Sequence, residues 1–470
     1  MGRGWLSNFL GKYCMPGVLL LLCAYYSWAT IEHRQSTGVA GGDECSKKLL
    51  LQSKLPGNVA IVVGTSADNA GFSDRARQNL QAHGISKITV ILGDPRDVRL
   101  GLQKMIDSKG PPDAIICTAD ESQSFDRLLA GLPALSGALA IMPPTHAWPT
   151  FLTANNLLNV ANQIVVIAII AVGMTMVIIT GGIDLSVGSL VALSAVVTGV
   201  LMRDHAGGAQ TGAAGMVLCS LGGILACGLV GAFTGGMITL FKVPPFIITL
   251  SMMLVASGRA YKVAKGGSIY DVPRSFSWLG AGNGFGGIPN AVLVMLGVYA
   301  AAHVTLSRTR LGRYIYAVGG NAEAARLSGV PVSMIVMTVY ILSGLSAGLG
   351  GVIVASNLGG SSPTYGLSYE LYAIAAVVVG GTSLMGGEGN VAGTLVGAFI
   401  IAVIRNGMNL TGVEPFSQAE VLGWVILGAV LLDSLKRTTW RRPNWTRRPE
   451  PRGFLIIDTA KQRETSGLGE

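Results

Sequence analysis

Three stretches of this 470-residue chain carry residues whose types and spacing suit chemistry in a low-dielectric setting. The first is Thr180 to Ser189 (TGGIDLSVGS), where Asp184 is the one acid, preceded by Gly181 and Gly182 and followed by Ser186. Glycines allow unwound backbone at membrane depth, tolerated only beside protein or a water-filled cavity. An ionisable side chain there either serves an ion or solute path or, with Ser186, satisfies free amides at a helix start. The sequence leaves both readings open. A second glycine-rich connection holds Gly380, Gly381 and Thr382, then Gly386 and Gly387, with Glu388 and Asn390 as polar members. Interrupted segments of this kind in two halves of a transporter can mark a translocation path; a packed turn has the same composition. In the third stretch, Arg405 stands with Asn406 and Asn409 in an apolar run. Arg405 can neutralise Glu420, line a cavity, or snorkel to an interface.

A different chemistry is offered by Arg308 to Pro331 (RTRLGRYIYAVGGNAEAARLSGVP), a basic interlude between long apolar runs. Arg308, Arg310, Arg313 and Arg326 would sit badly in hydrocarbon, so the segment is expected in water on the cytoplasmic side. Asn321 can cap a short helix with Glu323 near its positive end, and Gly319 and Gly320 permit a sharp entry. Such a helix fixed to a membrane body suits receiving a push from a partner, while a solvated loop joining two spans has the same composition. Catalytic motifs are lacking. The five histidines are scattered, and no HExxH, GxSxG or phosphate-cradling GxxxxGK[ST] occurs. The six cysteines form no CxxC pair and no metal-ligand spacing.

The elements that must hold these residues are membrane helices. With 50% hydrophobic and 13% charged residues, the chain reads as a polytopic membrane protein. Its 65 glycines are about twice the usual roughly 7%, which fits close helix packing in lipid. The net charge of +9 gathers in the 308–326 stretch and after Lys436, so positive-inside topology accounts for it and nucleic acid is not indicated. Apolar runs place spans at about 16–32, 156–180, 185–202, 212–240, 245–260, 290–307, 334–356, 370–386, 391–410 and 418–435. Starting inside, the sixth and tenth return to the cytoplasm just before the two basic segments. Arg259, Lys262, Lys265 and Arg274 dissent, lying outside in a long 259–289 connection. Pro244-Pro245 breaks the helix at the start of the fifth span.

Residues 1–31 read as a basic tail and an uncleaved first span, although a signal peptide has a similar plan. Residues 32–150 read as a soluble α/β unit. Short β-branched runs at Asn58–Ser66, Lys87–Gly93, Ala114–Thr118 and Ala138–Met142 alternate with helical spacing at Phe72–His83 and Arg96–Ser108. A solute on it would sit at Gly64-Thr65-Ser66, at a strand's C-terminal end; a spacer or docking role is the alternative. Cys45 and Cys117 lie in this unit, and a disulfide between them is one option. The expected fold is therefore an all-α polytopic membrane protein of about ten transmembrane helices, with a small α/β extracytoplasmic insertion between the first two spans.

GRYIYAVGGNAEAARLSGVPV resembles the cytoplasmic coupling-helix signature of the ribose-type permease family, the membrane subunits of bacterial ABC sugar importers. TGGIDLSVGS and VVVGGTSLMGGEGNVAGTLVGAFIIAVIRNGMNLTGV (Val377 to Val413) agree with that family in order and separation. The likeness covers roughly Phe151 to Lys436; the 32–150 segment departs from it. The resemblance implies a transmembrane permease over 151–436 in the inner membrane, with a coupling helix at about 319–330, and a basic cytoplasmic tail over 437–470 against lipid headgroups. Gly319, Gly320, Asn321, Glu323, Ala324, Arg326, Leu327 and Gly329 would then meet a separate ATPase subunit, which alone would bind ATP. Asp184, Ser186, Gly181, Gly182, Thr382, Arg405 and Asn409 are the candidates for the path or gate. The resemblance further implies a periplasmic sugar-binding protein as partner, a homodimer, a monosaccharide as cargo, and no cofactor or metal of the chain's own. Two other classes remain as alternatives. A stand-alone secondary transporter or channel is disfavoured by the scarcity of intramembrane acids. A solute sensor using the 32–150 unit would lack a cytoplasmic output domain.

Overall fold

The computed structural model describes residues 2–52, 56–64, 67–118, 133–135 and 137–440. Thr65 and Ser66 of the expected solute position, and the tail beyond residue 440, lie outside the described residues. The chain divides into two compact units, one built chiefly of Ala161–Ala402, the other of Val18–Val160 with Val403–Val413.

The larger unit is helical. Among the described residues seven helices are long and apolar enough to cross a membrane: α5 (Ala154–Ile179), α6 (Val187–His205), α7 (Ala213–Phe241), α8 (Pro245–Val263), α9 (Asn290–Arg308), α12 (Val332–Leu358) and α14 (Val391–Leu410). Between α9 and α12 lie two short helices, α10 (Arg310–Gly320) and α11 (Ala322–Leu327). Three apolar stretches are shorter: Met15–Ala29 in α1 (Gly2–Ala29), α13 (Tyr369–Val379), and Pro415–Leu431 in α15 (Pro415–Trp440).

Helix α5 is the centre of this unit. Every residue from Ile164 to Ile179 is buried, as expected of a helix apolar on all sides. Hydroxyls tie it to its neighbours: Tyr299 Oη on α9 donates to the Ala168 carbonyl at 3.0 Å, and Thr175 meets Thr394 on α14 at 2.8 Å. α7 and α12 pack backbone to backbone, since a Cβ on Gly231 would collide with the Tyr340 carbonyl and one on Gly344 with the Cys227 carbonyl. The eighth span, expected over 370–386, ends at Val379 instead. Left-handed backbone at Gly381, Gly386 and Gly387 (φ +88, +85 and +77) cannot continue a right-handed helix, so residues 380–390 form a turn.

The smaller unit contains a four-stranded parallel sheet in the order β3 (Lys87–Leu92), β2 (Asn58–Val63), β4 (Ala114–Cys117), β5 (Leu139–Ile141). Alternate residues of β2 face opposite sides. Val59, Ile61 and Val63 pack with Phe72, Ala76 and Leu80 of α3 (Ala67–Ala82) and with Cys45 and Leu49 of α2 (Gly38–Leu50). Ala60 and Val62 pack with Val98, Leu102 and Met105 of α4 (Pro95–Lys109). Cys45 and Cys117 are buried on opposite faces of this sheet, and no disulfide joins them. Chain entry and exit are paired as a two-stranded antiparallel ribbon, β1 (Ile31–Gln35) against β6 (Thr145–Pro149). At its foot the Tyr26 ring lies against Gly407, and Asn156 and Asn406 exchange amide hydrogen bonds at 3.0 and 2.9 Å.

Candidate functional site: a glycine junction

α5 and α13 end in the same way. Gly181 N–H bonds back to the Ile178 carbonyl (2.9 Å) and Gly182 N–H to the Val177 carbonyl (3.0 Å); Gly381 and Thr382 do likewise to Val378 (2.9 Å) and Val377 (3.1 Å). This pair of back-bonds is the Schellman stop, and it needs left-handed backbone at its first residue, supplied by Gly181 (φ +80) and Gly381 (φ +88).

The two turns meet. The Ile179 carbonyl, an unsatisfied end of α5, accepts a hydrogen bond from Gly387 N–H at 2.8 Å. α10 closes the contact, because Gly319 lies so near that a Cβ there would overlap the Ile179 carbonyl oxygen and stand 2.6 Å from the Gly387 nitrogen. A Cβ on Gly386 would stand 3.0 Å from the Gly319 carbonyl oxygen and 3.1 Å from the Gly181 nitrogen. Tyr316 Oη, one turn back on α10, donates to the Gly389 carbonyl at 2.7 Å. Three segments far apart in sequence, 179–182, 316–320 and 386–389, thus share one backbone-to-backbone contact.

This corrects the expected role of Gly319 and Gly320. Neither has positive φ, and both complete the last turn of α10. Gly319 is small because of what it touches, whereas a Cβ on Gly320 would meet nothing within 4 Å. The expected single helix at 319–330 is two helices broken at Asn321, whose φ of −160 and ψ of 101 are extended. Asn321 Oδ1 caps α11, accepting from Ala324 N–H at 2.9 Å. Glu323 pairs with Arg326 in water (2.5 Å), which holds the Glu323 carboxyl below its usual range. Only Ala325 of α11 is buried; Leu327 is 78% exposed. Gly329, with φ +84, ends the helix.

Beside the junction, Asp184 is 2% exposed. Its Oδ1 accepts from Ser186 N–H (3.0 Å) and Ser186 Oγ (2.6 Å), and its Oδ2 from Ser343 Oγ on α12 (2.8 Å). Ser186 stands at the N-terminus of α6 without making a side-chain cap. Asp184 therefore does more than cap a helix, since one oxygen folds its own turn and the other grips α12 across 159 residues. Tyr340, one turn earlier on α12, is nearly fully buried; it donates to the Ile183 carbonyl at 3.4 Å and lies against Gly182, whose Cβ would come within 2.6 Å of its hydroxyl. Thr382 is buried and its hydroxyl has no partner, packed where a Cβ on Gly389 would fall.

Arg405 and Asn409 do not join this group. They lie in the last turns of α14, within the smaller unit, Arg405 half-buried and Asn409 exposed. Tyr316, Tyr340 and Ser343, which complete the junction, escaped the sequence reading. Nothing in the sequence sets Tyr340 and Ser343 apart from the other hydroxyl residues of α12 (Ser333, Thr338, Ser346 and Ser356), or Tyr316 from Tyr314 on α10. Among the described residues no cluster of three or more His, Cys, Asp or Glu side chains is placed to hold a metal ion.

Long apolar helices broken by glycine turns are those of a polytopic membrane protein. Residues 156–435, more than half of the chain, match the family described as "Branched-chain amino acid transport system / permease component", and the chain belongs to that family. It is 46% identical over 293 residues to the ribose import permease protein RbsC of Escherichia coli K12, covering 62% of this chain and 88% of that protein. The ribose import permease protein of Bacillus subtilis is 43% identical over 290 residues (61% and 87%), and the D-allose transport system permease protein AlsC of E. coli K12 is 37% identical over 308 (66% and 90%). No solved structure matches the chain.

Proposed function

We propose that this chain is the transmembrane permease of an ATP-driven importer for a monosaccharide of the ribose type, without an ATPase site of its own. The family description speaks of amino acids; the choice of sugar rests on the 46% identity to a ribose import permease. The observation that carries the mechanism is the outward face of α11, held through α10 on the turns that end α5 and α13. Exposed Glu323, Ala324, Arg326 and Leu327 meet an ATPase subunit, and displacement of that helix moves the junction as one body. Gly319 is the contact through which the push arrives. The Asp184–Ser343 bond lies on the gate side and keeps α12 with the moving turn.

In this reading the seven long helices and three shorter apolar stretches make ten crossings. α13 has 11 residues, about 16 Å of rise, too short to span alone, and its turn is sheltered by α5 and α10 instead of lipid. Residues 308–327 and 437–470 face the cytoplasm, and the 32–150 unit faces outward. A second copy completes the pathway, and a solute-binding protein delivers the sugar. Co-purification of the full chain with its cognate ATPase is the test. Association that survives deletion of Gly320 to Leu327 would remove the coupling role.

A further inference from the structure

At the ends of α6 and α12 remote from the junction the structure has a cleft of about 660 Å³, within the range of small-molecule sites. It is walled by the 209–211 connection after α6, by residues 270–277, and by Gly359 at the end of α12. Those walls are fixed. Asp271 Oδ1 accepts from Ala209 N–H at 3.0 Å, Ile269 and Ser361 exchange two backbone bonds of 2.8 Å, and Ser356 Oγ accepts from Gly280 N–H at 2.7 Å. Below, Val272 and Phe276 belong to an apolar core shared with Ala195 and Met202 of α6 and Val352 and Ala355 of α12. The rim is a different chemistry: Tyr270, 72% exposed, with Arg274 and Gln210 and the hydroxyl of Ser277, while the buried Thr211 hydroxyl donates to the Gly208 carbonyl at 2.6 Å and holds the wall.

An aromatic face beside a fork of donors and an amide, with the neighbouring carboxylate, Asp271, engaged by Ala209 N–H, suits a compact ring whose edges are hydroxyls and whose face is C–H. It does not suit a metal ion. Next to the Tyr270 wall, Ser361 carries a buried hydroxyl with no partner, against Gly199 of α6; one residue earlier on α6, Thr198 carries another, packed where a Cβ on Gly223 of α7 would fall. Unpaired buried hydroxyls cost free energy in an apolar setting, and a polar solute moving inward would satisfy them. We propose that this cleft is a monosaccharide-binding vestibule, where sugar first meets the permease. This rests on the permease reading, in which this end of α6 and α12 faces outward, and adds to it the place and the residues of first contact. The concave, pinned walls favour a small solute over a protein surface.

The test uses the full chain in lipid nanodiscs with D-ribose as probe and no partner protein, read by saturation-transfer NMR. Transfer to the ribose ring protons is expected. Tyr270→Ala and Arg274→Ala should each lower it about fivefold, the scale of one lost contact, and Tyr270→Phe should keep it. Gln210→Ala, on the other wall, should lower it too and guards against misfolding of one variant. No transfer from wild type overturns the proposal. So does transfer only from D-ribonate, which would mark an anion site. A Arg274→Cys chain that cross-links to the solute-binding protein while free ribose gives no signal makes the cleft a protein contact, which also overturns it. A chain that takes up ribose with its ATPase but shows no transfer sinks the vestibule alone, whereas failure to associate with the ATPase sinks the permease reading and leaves ribose transfer measurable.

Discussion

The two ends of α6 and α12 are built on opposite principles. At the junction, contact is backbone on backbone, side chains are mostly glycine, and the polar groups other than the Thr382 hydroxyl are paired within the protein. At the cleft, loops form the walls, and Tyr270, Arg274 and Gln210 stand exposed at the rim. Close packing transmits displacement, because a dense contact cannot yield without moving its neighbours. An open cleft exchanges one polar partner for another at little cost. An importer driven from one end and taking up solute at the other, as proposed above, would use that asymmetry.

The sharpest way to break the contrast is to add one methyl at each of two adjacent residues. Gly319→Ala puts a Cβ into the Ile179 carbonyl, so uptake by the reconstituted complex should fall by two orders of magnitude or more, with about 1–3 kcal/mol of lost stability. Gly320→Ala meets open space and should leave uptake and melting temperature nearly unchanged. Equal effects at the two positions would dissolve the junction as described.

Asp184→Ala comes next. It leaves the Ser343 and Ser186 hydroxyls buried without their acceptor, and about 1–3 kcal/mol should be lost in a denaturant or thermal melt. Ser343→Ala should cost less, because Asp184 keeps its two bonds to Ser186. Tyr316→Phe, which removes one hydrogen bond to Gly389, should cost about 1 kcal/mol and weaken the response of ATPase rate to sugar more than the basal rate. Thr382→Val has the opposite sign: deleting an unpartnered buried hydroxyl should stabilise by about 1 kcal/mol. If transport fails in that stabilised variant, Thr382 touches the solute.

The smallest expected effect lies in the α/β unit. Burial pushes the Cys45 thiol from an ordinary 9.0 up to about 12. The unfolded thiol therefore ionises first as pH rises. The associated stability is intact below pH 9 and is lost between 9 and 12, on the order of 1 kcal/mol by pH 10. Melts of wild type and Cys45→Ala across that range should converge as pH increases; parallel curves would remove Cys45 from the account.

Much of the helical body was legible. Long apolar runs without charge announce spans because a bilayer admits little else, and Asn321 announced its cap because few side chains reach back to their own helix start. The 370–386 run misled, because hydrophobicity is blind to handedness and only φ at Gly381, Gly386 and Gly387 ended the helix. Asp184 was visible as an anomaly, but its partner was not. A serine 159 residues away carries no mark of that contact.

By itself the sequence determined which segments are apolar and which are too charged for lipid, since each follows from a residue's own transfer preference. Only the tertiary structure decided which of many glycines are there for contact and which for curvature. Gly319 and Gly320 are identical letters, and what separates them is the carbonyl of Ile179, brought there by packing among helices distant in the chain.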